Sequence, residues 1–569
     1  MKKRQLVSAL AAVMATSVVL TACGSSTNSS TKPEKKENLT NSNVQVIKAT
    51  DPSKVPAQAK NRKDTIVVGE MAAEGKFNPL YQDNQYDTYI NNQIFDSLLD
   101  VDDKGQPING LATYSVSKDG LTYTFKLKDG VKYTNGDPVT VSDAEFCAEV
   151  IADKSYDGPS DLSSCGIKGY DAFHNGTASS ISGIKVVDKD TLEITLDAPN
   201  SSALISLGSL QLMDKNYYGK GYTPGNTSSV EKMLSNPIGS GPYKLTAFKS
   251  GQEADLVAND DYWRGKVKTK NLIFKFTTDD NRLQELKTGD TDIDYIQAPN
   301  PEIMSQVQDL GFVNTTLFPD NGYSYIGMNL QNPMFKDKRV RQALTYGLQR
   351  SQIINTVYGK YADVSNEPTS TVSAIYNSDV NKYEYNVAKA NKLLDEAGWK
   401  KGSDGIREKD GKKLEIHFYQ RTPHALADAL VPVAKTDWQK IGVKLIPETM
   451  DSNTMYDKVK KSDFEMYCGA WGLTGDPDQS GLFGSKGPQN YVHYSNSDVD
   501  SEIAKALKTI DLTKRNNIDK DVMKKLNDDA AYIFMAQVKV AWPVSSRITG
   551  LDMSAFKDFS YSLWKAEIK

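Results

Sequence analysis

An abrupt change of character at one cysteine constrains this chain more than any other feature. Behind Lys2, Lys3 and Arg4, residues Leu6 to Leu20 form an apolar run broken only by Ser and Thr; just past it stands Cys23. The run is shorter than the ~20 residues a membrane-spanning helix needs, and its charged start reads as an export signal over residues 1–22. From Gly24 to about residue 60 the chain is rich in Ser, Thr, Asn, Lys and Pro and almost free of aromatics. Such a composition cannot bury enough surface to offset the entropy of ordering, so residues 23–61 read as a flexible tether. The folded body is therefore expected from Arg62 onward, where strand and amphipathic helix patterns alternate. That leaves roughly 500 residues, enough for two or three packed lobes outside the cytoplasm.

The residues Leu20, Thr21, Ala22 and Cys23 resemble the lipobox of bacterial lipoproteins. The resemblance implies that a diacylglyceryl group joins the Cys23 sulfur and that cleavage leaves this cysteine first in the mature chain. Acyl chains that bury ~0.8 kcal/mol per CH₂ hold a soluble body at a bilayer without any spanning helix. The expected location is thus the outer face of the cell membrane of a Gram-positive bacterium.

Charge and motif content exclude several functions. Lys plus Arg number 68 against 72 Asp plus Glu, and the only basic run lies in the signal, which argues against nucleic-acid binding. The histidines, His174, His417, His424 and His493, are scattered without HExxH spacing, and no GxSxG, P-loop or GxGxxG context occurs. His417 falls in the period-two strand pattern "KLEIHFYQR" and reads as structural or ligand-lining. No catalytic constellation is present, so the chain reads as a non-enzyme without cofactor or metal. After Cys23 only Cys147, Cys165 and Cys468 remain, with no CxxC spacing. In an oxidising compartment Cys147 and Cys165, a short loop apart, are disulfide candidates, and Cys468 is expected as a free buried thiol.

Four segments carry most of the remaining information. "LTYTFKLKDGVKYTNGDPVTVSDAE", residues 121–145, opens as a strand through Tyr123, Phe125 and Leu127, turns at Asp129-Gly130 and Asn135-Gly136, and enters a helix expected to be capped by Ser142 with Glu145. "NPIGSGPYKL", residues 236–245, bends sharply into a strand. "DKRVRQALTYGLQR", residues 337–350, places Val340, Ala343, Leu344, Gly347 and Leu348 on one helical face. "AKANKLLDEAGW", residues 388–399, buries Leu394 and Ala397 and stops at Gly398.

In this order the segments resemble the extracellular solute-binding proteins of peptide ABC importers, the oligopeptide- and dipeptide-binding group (solute-binding family 5), from about residue 64 to the C-terminus. "NYVHYSNSDVD", residues 490–500, matches a further segment of that group, with Asp500 expected to start a helix. The resemblance implies an α/β, two-lobe, periplasmic-binding-protein-like fold of type II, from the large peptide-binding cluster. Its first lobe would take residues 62–100, 236–317 and 531–569, with an extra subdomain at 101–235; the second lobe would take 318–530. A peptide of any sequence offers repeating N–H and C=O groups and can be held as an added strand. The implied partners are an oligopeptide, the permease subunits and the bilayer through acylated Cys23, with no nucleic acid and a monomeric state.

By the same resemblance the ligand pairs with a second-lobe strand ending in a Gly-Trp or Ala-Trp step. Here that is "MYCGAWGLTGDPDQ", residues 466–479, which nominates Gly469, Ala470, Trp471 and Gly472, with Tyr323 and Tyr325 on the strand leaving the hinge. Gram-negative members hold the peptide's ammonium with an Asp three residues after that Trp, whereas the same step here lands on Thr474. Asp476 and Asp478 either substitute by a loop shift or only cap a turn. A longer peptide, held by its middle, is favoured. The family also takes in binders of oligosaccharide, haem and nickel complexes and receptors for signalling peptides; dispersed histidines disfavour metal.

Overall fold

The protein was analysed as a computed structural model that describes residues 44–569. The signal, Cys23 and most of the tether lie outside the described residues. Among the described residues no helix is long and apolar enough to cross a membrane.

Residues 44–61, expected as tether, belong to the body. Gln45–Ile47 is a strand antiparallel to Val313–Pro319, and the short helix Ala57–Asn61 buries Ala59 beside Val55, Leu286 and Met304. Sparse apolar residues suffice because each lands on an existing apolar surface.

Two sheets build the first lobe. In one the order is Thr65–Glu70, Asn271–Phe276, Glu253–Ala258, Tyr243–Lys249, the first pair parallel and the others antiparallel. In the other the long strand Ala536–Ser545 lies between Val313–Pro319 and Ala362–Val364. Residues 539–545 of this strand pair within the first lobe, while 536–538 pair with the second-lobe strand Ala362–Val364. The chain also crosses where Val313–Pro319 continues into Gly322–Met328. These two crossings are the two-stranded hinge of the expected two-lobe fold.

The second lobe centres on a five-stranded sheet in the order Lys444–Met450, Glu415–Arg421, Met466–Gly472, Gly322–Met328, Ile533–Phe534. Helices cover both faces, so two apolar clusters form, one around Trp438 and Phe418 and one around Tyr467 and Tyr532. The inserted region carries its own antiparallel sheet, yet its Phe125, Phe146 and Cys147 belong to one continuous core with Ile66, Val68 and Trp542 of the first lobe.

Local signals shift at three points. The helix after "TNGDP" runs Val141–Ala152 and is capped two residues earlier than expected, by Thr140 with Asp143, whose carboxylate accepts from the Thr140 amide at 2.8 Å. The last-named helix spans Ser497–Leu507 with Asn496 as its cap, placing Asp500 inside the first turn. Cys147 and Cys165 are not bonded to each other. Cys147 faces inward from the middle of its helix and accepts the Met213 amide at 3.4 Å, whereas Cys165 ends a separate tight turn; Cys468 is also free and buried, as expected. Burial pushes both Cys147 and Cys165 up to about 12, so each is a neutral, inert thiol.

Candidate functional site

The strand Met466–Gly472 is paired along its whole length on one side, from Met328↔Met466 to Gly322↔Gly472. On the other side its neighbour Glu415–Arg421, which pairs with Lys444–Met450 along its whole length, meets it only at Phe418↔Met466 and Tyr419↔Tyr467. Residues 468–472 therefore keep one edge without a partner strand. An unpaired edge is a ready template for an added chain.

Glycine makes this edge reachable. A Cβ at Gly469 would stand 2.8 Å from the Tyr325 ring, so only hydrogen fits there, and nothing lies within 4 Å of one at Gly472. Ala470 is exposed and Trp471 half-buried. Trp471 stacks on Tyr325 and Tyr491, with centroids 6.2 and 6.0 Å apart, and its Nε1–H donates to the Tyr532 hydroxyl at 3.5 Å. Beside this edge lies a cavity of about 510 Å³ lined by Tyr456, Lys460, Ala470, Trp471 and Tyr491, with Tyr325 behind them.

Not every expected residue reaches the edge. Tyr323 is buried among Tyr325 and Phe534, because the strand alternation that turns residue 324 outward turns its ring into the core. Tyr325 is likewise buried, yet it lines the cavity beside the edge and stacks against the Trp471 indole. Asp476 and Asp478 are committed to internal partners. Asp476 accepts from Arg515 Nη2 at 2.5 Å and from the Asp478 amide at 3.1 Å, while Asp478 accepts from the amide and hydroxyl of Ser480 at 2.9 and 2.5 Å. The DPD sequence is thus a capped turn, and Thr474 is exposed with its hydroxyl on the Asp476 carbonyl.

Arg515 ties this turn to the inserted subdomain. It stands 3.5 Å from Asp519 and donates to the Ser202 hydroxyl at 3.1 Å, next to Ser201, whose amide donates to Leu507 at 2.7 Å. Burial pushes the Asp519 carboxyl up to about 7 against the opposing pull of Arg515.

One residue of the edge escaped the sequence reading. Arg421 ends the strand that leaves the cleft strand, two residues beyond its last pairing there, Tyr419↔Tyr467. Among the described residues no carboxylate pairs with it; its Nη2 meets His424 Nε2 and its buried Nε has no partner. Burial, then Arg421, drives His424 down to about 4, so the imidazole is neutral and leaves the guanidinium charge uncompensated. The signal was present in "HFYQRTP": a cation closing an aromatic strand, with no acid between Glu415 and Asp428.

Residues 106–492, more than half of the chain, match the family model described as bacterial extracellular solute-binding proteins, family 5, middle. The oligopeptide-binding protein AppA of Bacillus subtilis is 29% identical over 480 residues, covering 83% of this chain and 85% of that protein. The structure of AppA in complex with a nonapeptide superposes with a TM-score of 0.69 at 26% identity, covering 89% of this chain and 99% of that one. The ABC transporter substrate-binding protein CtaP from Listeria monocytogenes superposes with a TM-score of 0.77 at 25% identity over the same shares.

Proposed function

The chain belongs to the bacterial extracellular solute-binding proteins of family 5, and from that premise we propose that it captures oligopeptides between its lobes and delivers them to an ABC permease. The observation that carries this reading is the free edge of residues 468–472, flanked by Trp471 and the unpaired Arg421. Main-chain pairing along the edge supplies affinity that ignores side-chain identity. Trp471 supplies apolar contact, and Arg421 receives a ligand carboxylate by charge-assisted hydrogen bonds. Strand, indole and guanidinium together fit an extended chain better than a compact solute, and no step of covalent chemistry is assigned to them.

The body acts as a monomer at the outer face of the membrane, held by acylated Cys23. The apolar run and the Leu-Thr-Ala-Cys step support this anchor. Mass spectrometry of the material that co-purifies with the mature protein tests the ligand class directly: a ladder of peptides is expected, and a single sugar, haem or metal complex would overturn the reading. Cys23→Ala is expected to release the protein into the medium with binding intact; retention in a salt-washed membrane fraction would remove the anchor from the proposal.

A further inference from the structure

A further contact joins the lobes besides the two hinge crossings, and the inserted region makes it. The Ser201 amide donates to the Leu507 carbonyl at 2.7 Å and the Ser201 hydroxyl to the Ala506 carbonyl at 3.2 Å, while Arg515 Nη2 donates to the Ser202 hydroxyl at 3.1 Å. Leu507 ends the second-lobe helix Ser497–Leu507, and Arg515 stands near the start of the next, Leu512–Asp528. Glycine lets the two surfaces meet: a Cβ at Gly120 would stand 2.6 Å from Ile510, and one at Gly475 would stand 2.9 Å from the Gly105 carbonyl.

The inserted region holds its side of the contact in place. Tyr123 of its sheet donates to the Asn200 carbonyl at 2.8 Å; the Asn200 side chain donates to the Ser164 carbonyl at 2.8 Å and accepts the Ser202 amide at 3.0 Å. Ser202 precedes the short helix Ala203–Gly208, where a serine ordinarily caps, yet its hydroxyl makes no capping bond and meets Arg515 instead.

On the second-lobe side Arg515 is 1% exposed and has two carboxylates in reach. Its Nη2 donates to Asp476, in the turn that follows the peptide edge, at 2.5 Å. Its Nε lies 3.5 Å from Asp519 Oδ2 without a hydrogen bond, and among the described residues both atoms are unpartnered. The same Nη2 therefore bonds the turn and the inserted region at once, while Asp519, one turn along the same helix, offers the guanidinium a second resting place.

We propose that this contact is a latch that couples the peptide edge to closure of the lobes. A chain paired along residues 468–472 holds the turn that carries Asp476, Asp476 holds Arg515 toward Ser202, and the inserted region is kept against the second lobe. When the edge empties, the turn loosens, Arg515 falls back on Asp519 and the Ser202 bond is lost. A ligand shifts such an equilibrium only through interactions that differ between the two states, and the Ser201 and Ser202 bonds exist only with the lobes together. The inference rests on the peptide reading above and adds a means of retaining the peptide once bound.

The test follows release of an N-terminally fluorescein-labelled alanine hexapeptide by stopped flow, and the distance between nitroxides on Lys118→Cys and Lys508→Cys, exposed positions on the two sides of the contact. Both measurements use the whole mature chain in its soluble Cys23→Ala form, whose other cysteines are buried. Ser202→Ala removes only the hydroxyl. It is expected to speed release about tenfold, the low end for a hydrogen bond to a charged group, with association unchanged, and to lengthen the distance between nitroxides in the peptide-bound protein. Ser202→Thr, which keeps a hydroxyl, is expected to leave both at their original values. Release unchanged by Ser202→Ala, or faster release with the distance unaltered, would overturn the latch and leave the peptide reading standing. Failure of the hexapeptide to bind the unmodified protein would overturn the peptide reading and the latch with it.

Discussion

Two arginines of the second lobe, Arg421 and Arg515, are in opposite states. Arg515 is buried, stands 2.5 Å from Asp476 and 3.5 Å from Asp519, and reaches Ser202 of the inserted subdomain. Arg421 is half-buried and, among the described residues, meets only a neutral imidazole and has no carboxylate partner. The first cation is spent on holding the turn that follows the cleft strand; the second is left over beside the edge where a ligand would lie. A charge satisfied within the fold builds structure, whereas one the fold leaves unsatisfied points to a partner from outside.

The sharpest way to break this comparison is to remove each arginine and measure stability. Arg515→Ala leaves Asp476, Asp478 and Asp519 close together without their cation, and loss of one partner from such a buried group costs about 3 to 5 kcal/mol. Arg421→Ala strands no carboxylate and is expected to change unfolding by less than about 1 kcal/mol. Urea titrations of the two variants compare them directly; equal losses would mean that both arginines are structural.

Affinity should divide them the other way. Arg421→Ala is expected to weaken peptide binding by about 1.5 to 3 kcal/mol, the range for a hydrogen bond to a charged group. A C-terminally amidated peptide should lose the same amount on the unmodified protein and nothing more on the variant. If amidation and substitution add, Arg421 meets some other acceptor. Trp471→Ala is expected to cost about 1 to 3 kcal/mol of affinity, as for an aromatic at the centre of an interface. Because Trp471 also rests on Tyr325 and Tyr491, a large fall in melting temperature with affinity unchanged would return it to the core.

The Arg515 group also carries a pH signature. Burial holds the Asp519 carboxyl up to about 7, above the ~3.9 of an unfolded chain. Between these values the native state keeps a proton that the unfolded state has released, so the stability present below about pH 4 is lost as pH rises through 7. Asp519→Asn should flatten that slope by up to about 1.4 kcal/mol per pH unit, the share of one proton. The slope is not abolished, since Asp294 is also raised to about 7 and Glu367 to about 8. Urea midpoints measured from pH 5 to 8 decide the matter: an unaltered slope would mean that Arg515 keeps Asp519 ionised.

The contrast also marks what sequence could disclose. The fold was legible because its signals are local and repeated: the face Val340, Ala343, Leu344 and Leu348 is buried where the helical period put it, and Gly398 follows its helix at φ +86°. The free edge was legible in part, through Gly469 to Gly472, since glycines before a Trp on a strand mark a close approach. Pairings across long separations were not. Asp476 meets Arg515 39 residues away, and Ser202 lies 313 residues from its arginine, so nothing near "GDPDQ" could say whether its acids were free. Residues 44–61 were misjudged for the same reason: their few apolar side chains acquire meaning only from the surface they cover.

The smallest effect expected is the one that separates this cleft from those that read a peptide's free amine. In such a cleft an aspartate would stand where Thr474 is, and an exposed hydroxyl donating to the Asp476 carbonyl cannot neutralise an ammonium. The next carboxylates along the chain are already engaged, Asp476 by Arg515 and Asp478 by Ser480, and freeing either would sacrifice a contact as strong as the one gained. Pairing along residues 468–472 must then supply most of the affinity, and it does not depend on the charge of the peptide's first residue. Free and acetylated forms of one peptide are expected to bind within about threefold of each other, under ~0.7 kcal/mol. A preference of tenfold or more for the free amine would require a carboxylate to reach the ligand's terminus. Repeating the measurement with Asp476→Asn would then show whether the turn gives up its arginine to the ligand's terminus.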